Sequence, residues 1–152
     1  MSSSLQPLYD RDFNLWCQDT INKIASHDYS RIDWDNLQDE LAGLAGRDRR
    51  ELRSRLTTLY EHLLKRCYVG QSDNYSGWEI TIRRTQLAIK NILIDSPSLR
   101  NYFTTVQTDC YADAYELVQR EYKKWELPKF NPFSLDIEQL LSAKIIPDYD
   151  EL

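Results

Sequence analysis

Glycine and proline are scarce in this chain, at four and five residues in 152, and histidine is limited to His27 and His62. So few breakers and turn formers count against a turn-rich β fold and favour helices. No stretch alternates apolar and polar residues at period two, so no sheet is expected. Apolar runs are also short, as in Ile92-Leu93-Ile94, far below the roughly 20 residues that span a bilayer. The start, Met1-Ser-Ser-Ser-Leu-Gln-Pro, lacks the basic region and apolar core of a signal peptide, and a cytoplasmic location is the expectation.

The three cysteines, Cys17, Cys67 and Cys110, are widely spaced and form no CxxC pair. That excludes a zinc knuckle or a thioredoxin-like motif and predicts three buried, reduced thiols. Two histidines without HExxH or Glu-x-x-His leave a metal site unsupported. A carboxylate-rich set of Glu40, His62 and Glu121 is the one weak alternative. GxSxG and phosphate-loop motifs are missing, and Gly43 and Gly46 follow no strand, so nucleophilic catalysis and dinucleotide binding have no signature. No cofactor is expected, and an enzyme is the less favoured class.

What the chain does have is charge, aromatics and helical periodicity. Ten tyrosines and four tryptophans accompany 28% charged residues. The net charge of −5 is uneven, with −5 over residues 1–40, +5 over 41–90 and −5 over 91–152. Internal pairing of a basic centre with acidic flanks is expected before a nucleic-acid surface. Arg47, Arg49, Arg50, Arg53 and Arg55 crowd one stretch, but Asp48 and Glu51 are interleaved and Glu51–Arg55 is an i,i+4 pair. A weak nucleic-acid binder is therefore the lesser alternative.

The periodicity predicts an all-α fold, a compact multi-helix bundle with no sheet, built on one long helix from about Asp35 to Tyr68. The whole chain is expected as a single domain, with 1–8 and 147–152 as loose ends. A first helix spans about Asp10 to Ala25, and Asp33 or Asp35 caps the long one. In the long helix Leu37, Leu41, Ala45, Leu52, Leu56, Leu59 and Leu63 form one stripe, whose register survives Gly43 and Gly46. A helix broken at those glycines is the alternative. Ser76 and Glu79 have capping-box spacing for a helix through about Ile94. Its second apolar line, Ile80, Leu87 and Ile94, is a candidate self-association face. Ser96-Pro97 restarts the chain for a short helix around Leu99–Val106. A further helix follows from about Asp109 to Trp125, and a last one from Leu135 to about Ala143.

Leu41, Asp48, Arg55 and His62 recur every seven residues along one line beside the leucine stripe. Arg66 falls close to that line, and Glu121 lies similarly on a later helix. Ionisable groups near a core must pair or shift their pKa. A candidate polar pocket follows, with Glu40, Asp48, Arg55, His62, Lys65, Arg83 and Glu121. In it His62 is the acid–base or ligand group, and Arg55 or Arg83 holds an anion. A salt-bridge network that fixes helix register is the competing account.

Short pieces in a fixed order carry a resemblance. They are Tyr9-Asp10-Arg11-Asp12-Phe13-Asn14-Leu15-Trp16, Ile32-Asp33-Trp34-Asp35-Asn36-Leu37, Asp39-Glu40-Leu41 and His62-Leu63-Leu64-Lys65. Ser76-Gly77-Trp78 with Thr81-Ile82-Arg83, then Pro97-Ser98-Leu99, Tyr111-Ala112-Asp113-Ala114 and Pro132 complete the series. In these the chain resembles the "domain of unknown function twenty-nine" family, common in cyanobacteria. Arg66 stands where the family often has an aromatic, and Asp39-Glu40 where it often has two glutamates. The resemblance implies a compact helical domain and no activity, and it draws attention to Glu40, His62, Lys65, Trp78 and Arg83. A protein partner or self-association is the favoured function class, ahead of a small-ligand binder or enzyme around His62.

Overall fold

The computed structural model describes residues 6–146, which contain helices and no strand. The helices are α1 (Leu8–Arg11), α2 (Phe13–Ala25), α3 (Trp34–Tyr68), α4 (Tyr75–Asp95), α5 (Leu99–Glu121) and α6 (Ile137–Leu140), with 3-10 turns at Tyr29–Arg31, Ser72–Asn74 and Ala143–Ile145. The all-α expectation holds. Of the expected loose ends, 1–5 and 147–152 lie outside the described residues; Gln6 and Pro7 are irregular, and Leu8 already begins a helix. By contacts the chain divides into two compact units, one ending at Gly46 and the other starting at Arg47, and α3 supplies residues to both.

The first unit buries little. Trp16, Thr20 and Ile32 are its buried residues among those described. Asp12 is extended and its carboxylate accepts a hydrogen bond from Leu15 N–H at 3.0 Å. It therefore ends α1 and caps α2, which splits the single helix expected from Asp10. Trp16 sits edge-on to Tyr9, with centroids 4.9 Å apart, and its carbonyl accepts from the Thr20 hydroxyl. His27, at φ 60°, takes the left-handed conformation that closes a helix C-terminus, and Asp28 N–H reaches back to the Lys23 carbonyl. Asp33 then caps α3 by accepting from Asn36 N–H.

α3 runs unbroken for 35 residues, through Gly43 and Gly46. Its leucine stripe has two fates. Leu52, Leu56, Leu59 and Leu63 are fully buried in the second unit, whereas Leu41 is 58% exposed and Ala45 is also exposed. The periodicity was the same throughout; burial depends on whether other helices cover it. α4 supplies Trp78, Ile82, Ile89 and Leu93 to this core, and α5 supplies Phe103, Val106, Cys110, Ala114 and Val118.

α5 is one helix where two were expected, around Leu99–Val106 and Asp109–Trp125. No Gly or Pro interrupts it, so once nucleated it propagates through Gln107-Thr108. Ser96 and Pro97 lie in the turn before it rather than at its first positions, and α4 starts at Tyr75, ahead of the proposed Ser76 cap. The three-buried-thiol expectation holds for Cys110 alone; Cys67 is exposed and Cys17 is partly buried, and all three are free.

From residue 122 to 146 the chain is mostly irregular, yet Leu127, Leu140, Leu141 and Ile146 are buried. Two buried glutamines make this feasible. Gln86 Nε2 donates to the carbonyls of Leu140 and Ser142, both at 3.0 Å, and Gln107 Nε2 donates to the Leu135 carbonyl at 3.0 Å. The helix expected over Leu135–Ala143 shrinks to α6 accordingly, because Gln86 takes the Leu140 carbonyl that a longer helix would use.

Replacing Gln86 with Leu should orphan the buried Leu140 carbonyl, at roughly 1–3 kcal/mol, and the half-buried Ser142 carbonyl, at about 1 kcal/mol. The expected result is a urea midpoint lowered by about 2–4 kcal/mol equivalent, with faster amide exchange over 135–146 and helical circular dichroism nearly unchanged. Stability within about 0.5 kcal/mol of the parent would show that these bonds are dispensable.

Candidate functional site

On α3 of the second unit His62, from the heptad line, has Lys65 one turn on, and α5 adds Glu121 beside Lys65. Lys65 Nζ is 3.5 Å from the Glu121 carboxylate and 5.9 Å from the centre of the Tyr122 ring, and Tyr122 in turn meets Trp78 edge-on. His62 is half-buried and its Nδ1–H donates to the Thr58 carbonyl one turn back at 2.9 Å. That bond sets the neutral tautomer and leaves Nε2 as an acceptor. Burial is the main force lowering the His62 pKa from 6.5; Lys65 adds to it, while the Thr58 bond and Glu121 oppose it. The neighbouring Glu61 is shifted upward, chiefly by burial, with Lys65 working against the shift. The group is chemically a neutral imidazole beside an ion pair whose carboxylate is largely solvated.

The other members of the candidate pocket lie elsewhere. Asp48 lines a cavity of about 350 Å³ between α3 and α4, with Glu51, Asn91, Asp95 and Ser96. Arg55 is bonded to Glu51 at 3.0 Å along its own helix. Arg83 donates to Gln86 Oε1 at 3.1 Å and stands near the Leu141 carbonyl, so it joins the clamp on the final segment. Glu40 belongs to the first unit, where it accepts a hydrogen bond from the Tyr9 hydroxyl. That bond pushes the Tyr9 pKa up to about 12, with burial and the Glu40 charge contributing less. Among the described residues no group of three or more His, Cys, Asp or Glu is placed to hold a metal ion.

Sequence reasoning missed the most buried ion pair. Arg66 Nε is 2.7 Å from Glu79, and the Arg66 guanidinium lies 4.0 Å from the Tyr75 ring centre. Arg66 thus occupies a position next to the apolar stripe by lying over an aromatic ring while bonded to a carboxylate. The i,i+13 separation between its partners leaves no local pattern to read. Gln86 and Gln107 were missed for a similar reason, since polar residues at core positions read as solvent-facing until their backbone partners are seen. The candidate self-association face is bare: Ile80, Leu87 and Ile94 are 55%, 45% and 73% exposed.

The His62 environment makes a signed prediction. His62 should titrate below 6.5 by NMR; Lys65→Met should raise that midpoint and Glu121→Gln should lower it further. Because the folded-state pKa is depressed, its stabilising contribution is complete above about pH 6.5 and is lost as pH falls through the folded value. His62→Gln should therefore flatten the fall in stability just below pH 6.5. Equal acid sensitivity in the variant would sink this assignment.

No curated protein and no solved structure matches the chain. No helix among the described residues is long and apolar enough to cross a membrane. The family model described as "Domain of unknown function DUF29" matches residues 8–146, and the chain belongs to that family.

Proposed function

We propose that this protein is a non-catalytic, cytoplasmic helical interaction module that self-associates through α4. The observation that carries the reading is the bare line Ile80, Leu87 and Ile94, with about two helical turns between each end and the middle. Three large aliphatic side chains recurring every seven residues form a narrow seam suited to another helix. The seam is also nearly symmetric about Leu87, so an antiparallel second copy sets Ile80 against Ile94 and the reverse, as a two-fold interface requires. Ile94 borders a depression of about 290 Å³, shared with Leu93, Ile137 and Leu141, which offers room for the partner's Ile80. A small-ligand site around His62 is less favoured, because Arg55 and Arg83 are engaged away from it and Asp48 lines a different cavity. Free cysteines suit a reducing compartment.

Sedimentation at high protein concentration tests the reading. The parent chain should be larger than a monomer, and Leu87→Glu with Ile94→Glu should reduce its mass by one association step without loss of helix. A parent and variant of equal mass would refute α4 as the seam.

A further inference from the structure

The seam on α4 has two unlike flanks. At about 100° per residue, with Leu87 as zero, Arg84 and Asn91 lie roughly 60° and 40° to one side, and Ala88 and Asp95 roughly 100° and 80° to the same side. Arg83 and Lys90 lie about 40° and 60° to the other side. The first flank opens onto the cavity of about 350 Å³ that Asn91, Asp95 and Ser96 share with Asp48 and Glu51 of α3. Glu51 is paired with Arg55, but Asp48 and Asp95 have no ion pair within 4.0 Å among the described residues, and Arg84 has none either. Arg84, Asp48 and Asp95 are exposed, and all of these residues belong to the second unit.

The free cation and the acidic cavity share a flank but do not meet within one chain. Arg84 stands seven residues before Asn91 and eleven before Asp95, roughly 10.5 and 16.5 Å along the axis. An antiparallel two-fold through Leu87 changes that. It turns each flank toward the same flank of the partner and reverses the order of residues along it. Arg84 then comes level with the partner's Asn91, about 1.5 Å away along the axis, and about 7.5 Å along the axis from the partner's Asp95. An extended arginine side chain covers that span. The contact forms twice, once in each direction. A parallel copy would instead bring opposite flanks together and set Arg84 beside the partner's Arg83. In the antiparallel pair the second flank is not complementary, because it sets Arg83 beside the partner's Lys90; that like-charge pair weakens the association and gives the geometry a second signature.

We infer that Arg84 of one copy docks against the acidic cavity between α3 and α4 of the other, and that this reciprocal contact fixes the antiparallel register of the α4 pair. The inference rests on the self-association proposed for α4 and deepens it. Ile80, Leu87 and Ile94 are evenly spaced, so the apolar line offers burial without choosing a direction. The order of charges on its first flank chooses one. A guanidinium also suits the cavity, because its fork of donors can bond the Asp95 carboxylate and the Asn91 amide oxygen together.

Charge swaps followed by sedimentation test it. Arg84→Glu should weaken association at least about tenfold, and so should Asp48→Lys combined with Asp95→Lys. All three positions are exposed, so folding should be retained, as circular dichroism checks. An equimolar mixture of the two variants should associate about as tightly as the parent, since each glutamate then faces lysines and each arginine faces carboxylates. Misfolding cannot produce such mutual rescue. Lys90→Glu should tighten the parent, because it turns the Arg83 contact with the partner from repulsive to attractive. A parent that Leu87→Glu with Ile94→Glu dissociates but both charge variants leave unchanged would overturn this inference alone. So would a mixture that stays as weak as either variant, or Lys90→Glu that fails to tighten the pair. A monomeric parent, or one whose mass the Leu87 and Ile94 substitutions leave unchanged, would overturn the α4 reading together with it.

Discussion

An irregular chain can lie across an apolar core only if its carbonyls find donors, and in this protein helix side chains provide them. Residues 122–146 cover the α3–α4–α5 core with Leu127, Leu140, Leu141 and Ile146. Gln86 and Gln107, each almost completely buried, reach from α4 and α5 to the carbonyls beneath that cover. Asn131 donates to the Tyr60 hydroxyl at 3.2 Å, and the Tyr111 hydroxyl donates to the Pro128 carbonyl. Among the described residues no buried side-chain polar atom is left without a partner. A set of amides satisfied on all sides holds one geometry, whereas a half-satisfied set would be worse than an apolar core. Arg83 belongs to the same arrangement through Gln86. That engagement explains why a residue chosen for anion binding is better understood as a structural one.

The leucine stripe, the unbroken α3 and the absence of sheet were legible because they rest on periodicity, which is local. Less legible were the features set by distant partners. Leu41 and Leu59 have the same helical register, yet one is bare and the other sealed. Sequence carries the period but not the cover. The split expected in α5 fell at Gln107-Thr108, yet a helix without glycine or proline resists interruption, and the buried Gln107 side chain finds the Leu135 carbonyl as its acceptor. α6 was expected too long because its apolar pattern continues past the point where its carbonyls are taken by Gln86.

The candidate pocket divides along the same lines. His62, Lys65 and Glu121 come together because two of them are neighbours on one helix face and the third sits where α5 crosses it. Arg55 is captured by Glu51 four residues away, a pairing visible in the sequence. Arg66–Glu79 depends on how α3 and α4 pack and on Tyr75 lying beneath the guanidinium. Breaking that pair would strand a buried charge, while its presence adds little by itself. The Tyr75 ring lies under the guanidinium and shares in keeping it from water.

α3 joins a bare section to a sealed one. A helix surrounded by water gains little beyond its intrinsic propensity, and Gly43 and Gly46 cost it roughly 1 kcal/mol each relative to alanine. The bare section persists because it is continuous with a section locked by Leu52, Leu56, Leu59 and Leu63, so extension needs no new nucleus. Continuity explains why the section is helical, but not why its leucine stripe is exposed. Solvation alone would be served by mixed charges without Trp34, Leu41 and Leu44.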